Sequence, residues 1–228
     1  MIPRNSDVIV LALQECKTKM KDSWRDSVLK HLNRNQKNVV VDSKYKLLSM
    51  KSMWAIHLII FVKSEHMLDI TEVQTSNVAT GLLGKLGNKG AVGCGFVYRA
   101  VNRFAFVSSH LAARATRIPE RESNFVDIVA HLKLGGDERV DFFHNFDHVF
   151  WLGDLNYRVD MGAHGTEKEY QKCVSLIKSN RMDALMPNDQ LCVLMHSNYS
   201  GKLKIIISRF FFNSFFFLLK ILISDIPC

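Results

Sequence analysis

The chain has 228 residues, 47% of them hydrophobic, enough to bury a core and too apolar for a disordered segment. Thirty basic against 22 acidic residues leave a net charge of +8, which suits a phosphate ester, an acidic lipid surface or nucleic acid, and equally a merely solvated basic surface. The five cysteines lie far apart with no Cys-x-x-Cys pair, which argues against a disulfide framework or a zinc site and for a reducing, cytoplasmic setting.

In chain order, "DVIVLALQE" is a continuous aliphatic run and predicts a buried strand ending in Gln14 and Glu15. Met20, Trp24, Val28 and Leu32 recur every four residues and predict an amphipathic helix. "YKLLSM", "WAIHLIIFVK" and "LDITEVQTSNV" predict three further strands. The glycine-rich "GLLGKLGNKG" follows, lacking the Gly-Lys-Ser/Thr ending of a Walker loop. It reads as a phosphate cradle or as a plain hairpin connection. "AVGCGFVYRA" and "RFAFVSSHL" predict a hairpin turning near Val101–Asn102. Pro119 opens a helix with Phe125, Ile128, Val129 and Leu132 as its apolar stripe and Gly135–Gly136 as its stop. "HVFWLGDLN" predicts another buried strand. Thr166 and Glu169 form a capping box for a helix bearing Tyr170, Cys173, Val174 and Ile177. Strands interleaved with helices predict an α/β domain over about 1–200.

Residues 201–228 differ in kind. Their Phe, Ile, Leu, Lys and Asn content has neither a helical nor a strand period, as a translated intron or frameshift would. They are expected to lie outside the native fold. Ile205 to Ile223 is long enough to cross a bilayer, so a tail anchor is the alternative, against which Arg209 and Lys220 stand inside the span.

Three apolar strands end in polar groups: Glu15, then His110 after Ser108–Ser109, then Asp154 and Asn156. Strand ends are where ligands gather in sheets. Glu15 offers a hard oxygen ligand suited to Mg²⁺. His110 can donate to a phosphate or shuttle a proton. Asp154 can take a proton from an attacking water. Asn156 lies two residues on, on the same side of an extended segment, where its amide can meet the same phosphoryl group. Asn88 and Lys89 of the glycine-rich loop would join them, and Leu82, Leu83 and Leu86 beside Lys85 suit a membrane interface.

"LALQE", "TGLLGKLGNKGAVG", "FVSSHLAA", "ERESNF", "FWLGDLNYRVD" and "MPNDQL", in this order, resemble the inositol polyphosphate 5-phosphatases of the endonuclease/exonuclease/phosphatase superfamily. That resemblance implies a four-layered α/β sandwich. It implies Glu15 as the Mg²⁺ ligand, Asp154 as the water-activating residue, and Asn156 and His110 on the scissile phosphate. Tyr157 and Arg158 would read the neighbouring 4-phosphate, and the loop leucines would touch lipid. The substrate would be a phosphoinositide or a soluble inositol polyphosphate, met peripherally at a cytosolic membrane face, with no nucleic acid. The family's earlier Asn-bearing strand and its later Pro-Ala-Trp-Cys-Asp-Arg and Ser-Asp-His strings are not among these residues. The domain is therefore expected to be truncated at both ends and its hydrolysis impaired. A non-catalytic lipid-binding fragment is the runner-up, and a nuclease of the same fold the third reading.

Overall fold

The computed structural model describes residues 6–34, 44–80, 88–136, 140, 142–162, 165–198 and 216–221. The elements run β1 (Val8–Leu13), α1 (Lys21–Leu32), β2 (Tyr45–Met53), β3 (Ile56–Lys63), β4 (Ile70–Ala79), β5 (Gly90–Tyr98), β6 (Asn102–His110), α2 (Ile118–His131), β7 (His148–Asp154), α3 (Glu167–Lys178), α4 (Gln190–Asn198) and β8 (Phe216–Ile221). They make two four-stranded sheets, β2-β3-β1-β8 and β4-β5-β6-β7.

Alternation along each strand builds the layers, because successive side chains face opposite sides. Val8, Val10 and Ala12 of β1, with Leu58 and Ile60 of β3, face the second sheet and share the sandwich interior with its Phe96, Phe104, Phe106 and Phe150. Within it the Phe106 and Phe150 rings stack at 5.2 Å and Phe96 and Phe104 at 5.3 Å. Ile9, Leu11 and Leu13 face the other way and are covered by Val28 and Leu32 of α1. On the far side, Ala105, Val107 and Trp151 pack beneath Ile128 of α2, Leu132 and Phe142. The order is helix, sheet, sheet, helix: the four-layered α/β sandwich expected. Both faces of the central strands are covered, so they read as unbroken apolar runs.

Two helices depart from their expected stripes. In α1 only Val28 and Leu32 are buried; Met20 and Trp24 are 50% and 38% exposed. Only the C-terminal end of the stripe packs on β1 and β3. In α3, Tyr170 and Ile177 are exposed and Glu169 is the buried residue. Its carboxylate accepts from the Met161 amide at 2.6 Å and the Gly165 amide at 2.7 Å, so it ties down the loop before the helix. Thr166 Oγ1 caps α3 as expected, accepting from the Glu169 amide at 3.3 Å.

Of residues 201–228 only Phe216–Ile221 is described, as β8, antiparallel to β1 from Val8↔Ile221 to Leu13↔Phe216. Among the described residues no helix is long and apolar enough to cross a membrane. The four described cysteines are free thiols, and burial pushes the Cys94 thiol up to about 11.

Candidate active site

Strand register brings the polar strand ends together. β6 and β7 run parallel with His110 opposite Asp154, and β5 pairs with β6 so that Gly90 lies opposite His110. Lys89, His110 and Asp154 therefore fall in one row at one end of the second sheet. β1 of the first sheet delivers Glu15 to the same end. Gln14, fully buried, crosses between the sheets and donates from Nε2 to Ser108 Oγ at 2.9 Å.

His110 is the centre of the cluster and only 4% exposed. Its Nε2 lies 3.5 Å from Asp154 Oδ2 and 4.0 Å from Glu15 Oε1. Lys89 Nζ hydrogen-bonds the same nitrogen. An ammonium has only donors, so a charged Lys89 in this contact requires an unprotonated, accepting Nε2. The electrostatics agree. Burial, and next the Lys89 charge, pull the His110 pKa below its ordinary 6.5, opposed by Asp154 and Glu15. Burial likewise lowers the pKa of Lys89, while the same two carboxylates oppose it.

Backbone conformation aims these groups. Glu15 has φ +56° and Asn156 φ +58°, both in the left-handed region that non-glycine residues seldom occupy. Each turns the chain sharply just past its strand. The Asn156 amide N–H also returns to Asp154 Oδ1 at 3.1 Å, an Asx turn that steadies the carboxylate. Gly153, with φ +125°, allows β7 to lie against β6: a Cβ there would stand 2.1 Å from Ser109 O. The strands can approach this closely, and His110 can face Asp154, only without that carbon.

Asn156 is buried and links three segments. Its Nδ2 donates to Leu111 O at 2.9 Å, and its Oδ1 accepts from Arg158 Nη2 at 2.6 Å. Arg158 thereby stands beside the cluster, and it also lines an open cleft of about 670 Å³ with Asp160, Thr166, Tyr170 and Cys173. The expected Tyr157 is placed differently from Arg158. Its ring packs at the edge of the α2 core with the Arg121 guanidinium 4.9 Å from its centroid. Asn88 is exposed at the turn into β5. Leu82, Leu83 and Leu86 lie outside the described residues.

Sequence reasoning missed the brace behind the site. Arg121 of α2 is fully buried. Its Nη1 donates to Ala112 O at 3.2 Å and Arg114 O at 2.7 Å; its Nη2 donates to Ala115 O at 3.3 Å and Gln190 Oε1 at 2.8 Å. Asn124 Oδ1 accepts from the Ala112 amide at 3.1 Å. Gln190 Oε1 also accepts from the Arg158 amide at 3.1 Å. One arginine thus fixes both the segment leaving His110 and, through Gln190, the backbone of Arg158. Arg121 and Asn124 sit in "ERESNF" and Gln190 in "MPNDQL". The available signal was their helical spacing on the face that Ile128 buries, where charged and amide groups need partners.

Two carboxylates and a cation-flanked imidazole meet at adjoining sheet ends, a combination with the charge and proton donors and acceptors to receive a phosphate group. Glu15 and Asp154 are hard oxygen donors, 56% and 38% exposed, and so fit a hard divalent cation that keeps part of its water. The fold around these residues is a four-layered α/β sandwich.

Residues 2–201 match the family model "Endonuclease/Exonuclease/phosphatase family 2", and the chain belongs to that family. It is 35% identical over 188 residues to phosphatidylinositol 3,4,5-trisphosphate 5-phosphatase 1 of Xenopus laevis, covering 81% of this chain and 17% of that protein. With the 2A protein of Danio rerio, a phosphatidylinositol 3,4,5-trisphosphate 5-phosphatase, identity is 38% over 153 residues, 66% of this chain and 11% of the relative. Among solved structures, the inositol polyphosphate 5-phosphatase domain of SPsynaptojanin, in complex with inositol (1,4)-bisphosphate and calcium ion, superposes with a TM-score of 0.68. The identity there is 29%, over 83% of this chain and 53% of that one. Cimex nitrophorin, at 22% identity and a TM-score of 0.53, shares the fold. The chain thus spans a small part of the curated relatives and about half of the solved domain.

Proposed function

We propose that this chain carries the phosphate-binding and water-activating part of a Mg²⁺-dependent phosphatase acting on the 5-phosphate of phosphoinositides or inositol polyphosphates at a cytosolic membrane face. The observation that carries the reading is the convergence of Glu15, Lys89 and Asp154 on the buried His110. The solved relative's ligand, inositol (1,4)-bisphosphate, is what remains when the 5-phosphate leaves a 1,4,5-trisphosphate.

Lys89 and Arg158 supply the positive charge that draws a phosphate in. An arriving phosphate places negative charge beside His110 and draws a proton onto its ring, making it a second donor to the phosphoryl oxygens. Asp154, held by its Asx turn, takes a proton from the attacking water. Asn156 holds the Arg158 guanidinium beside the cluster, where it would meet a neighbouring ring phosphate. Glu15 would hold the Mg²⁺ ion, which when bound neutralises charge developing on the phosphoryl group. We take turnover by these 228 residues to be slow, since the sequence holds neither the Asp–Arg nor the Asp–His string that the resemblance implies.

The test is phosphate release from inositol 1,4,5-trisphosphate in Mg²⁺, with the product identified by ³¹P NMR. The expected product is the 1,4-bisphosphate. Asp154→Ala is expected to cut the rate by about 10²-fold or more, the usual contribution of a general base. Release from another ring position, or an undiminished rate in Asp154→Ala, would sink the reading.

A further inference from the structure

The sequence places Met20, Trp24, Val28 and Leu32 on one stripe, and the fold uses only half of it. Met20 and Trp24 stay 50% and 38% exposed. A third apolar side chain is exposed nearby. Trp54 occupies the two-residue turn between Met53 of β2 and Ile56 of β3, has φ +54° and is 62% exposed. Such turns favour Asn, Asp or Gly, so neither turn geometry nor burial explains a tryptophan there. The turn is fastened to the chain that leaves Glu15. The Cys16 amide donates to Ala55 O at 3.3 Å, and His57, fully buried, bonds Cys16 O through Nε2 at 2.9 Å. The Trp24 indole lies against the Cys16 sulfur. Lys17, Lys19 and Lys21 stud the same stretch, the first two exposed. The acid that follows them, Asp22, is engaged by Arg25 at 2.9 Å.

We propose that Met20, Trp24 and Trp54, with Lys17, Lys19 and Lys21, form a membrane-contact surface that seats on anionic phospholipid at the Glu15 edge of the active site. Tryptophan and lysine together are the side chains of the bilayer interface: the indole enters the headgroup layer and the ammonium groups meet lipid phosphates. A protein partner would be expected to bury such a patch in a complementary groove; here the apolar side chains stand on a turn and a helix start, a shape suited to insertion into a fluid surface. Resting on the phosphoinositide reading above, the surface has a further consequence. A bilayer held at Trp54 brings headgroups to the side of the cluster where Glu15 opens to solvent.

Flotation with phosphatidylcholine–phosphatidylserine vesicles tests the surface without using turnover, so a failed phosphatase assay leaves it open to judgement. Met20→Ser/Trp54→Ser is expected to lower vesicle binding roughly tenfold or more, in line with loss of buried apolar area. Lys17→Glu/Lys19→Glu should lower it in a salt-dependent way. Val126→Ser, an exposed apolar position on α2, should leave it unchanged. A second readout needs no variant. Trp151 is 2% exposed, so brominated lipid should quench only Trp24 and Trp54. Absence of quenching, unchanged binding in the Met20/Trp54 variant, or loss of a dimer in place of vesicle binding would each overturn the proposal. If vesicle binding falls and soluble inositol trisphosphate is still hydrolysed, both readings stand; if binding falls and no phosphate is ever released, only the phosphatase reading fails.

Discussion

Arg121→Met is expected to destabilise the protein by about 3 kcal/mol or more, by removing the brace behind the candidate site. The guanidinium satisfies three main-chain carbonyls and Gln190 at a position with no solvent access. Methionine fills similar volume but leaves those acceptors unpaired, and each buried unsatisfied group costs about 1–3 kcal/mol. Loss of the cation over the Tyr157 ring adds to this. Arg121→Lys should recover only part of the loss, because one ammonium cannot fork across four acceptors. Urea unfolding measures the effect as a lower midpoint at unchanged slope. A loss under about 1 kcal/mol would mean the carbonyls find water or other partners, and the brace would not exist.

Gly153→Ala is the second large effect. The added Cβ would stand 2.1 Å from Ser109 O and 2.8 Å from the Ser109 amide nitrogen, both backbone atoms in the neighbouring strand. The φ of +125° adds strain that no rotamer relieves. Relief requires β7 to part from β6 where His110 faces Asp154. We expect about 3 kcal/mol of lost stability, combining overpacking and backbone strain. Site chemistry should fall with it, because the moved strand ends carry both residues. Thermal unfolding reports the first effect and phosphate release the second. An alanine variant with wild-type melting would show that the two strands do not pack as described.

The strands were legible because both faces of the central ones are buried, which leaves continuous apolar runs such as Ile9–Leu13 and Leu58–Val62. The polar strand ends were legible for the complementary reason: Glu15, His110 and Asp154 interrupt those runs abruptly. Their meeting was expected from the shared strand ends and from the resemblance, but the pairing that produces it was not legible, since it depends on register. The parallel pairing of His110 with Asp154 crosses 44 positions of sequence, and Lys89 reaches His110 only because Gly90 pairs opposite it. Arg121 escaped because an arginine in a helix ordinarily marks the solvent face. Tyr157 was read by resemblance as a substrate contact, and its ring in this structure engages Arg121. Met20 and Trp24 follow a core spacing, but only Val28 and Leu32 of that stripe are buried.

The measurement that bears most directly on the central claim is the titration of His110, followed through its ring nitrogens by ¹H–¹⁵N NMR. If Lys89, Glu15 and Asp154 share one phosphate site with His110, the free protein should show this imidazole titrating below its ordinary 6.5. Adding inositol 1,4-bisphosphate in the absence of a divalent cation should shift its resonances and raise its midpoint, since phosphate charge favours the protonated ring. Lys89→Met should raise the midpoint without ligand. A ligand that binds while leaving His110 unmoved, or a midpoint indifferent to Lys89, would contradict the account.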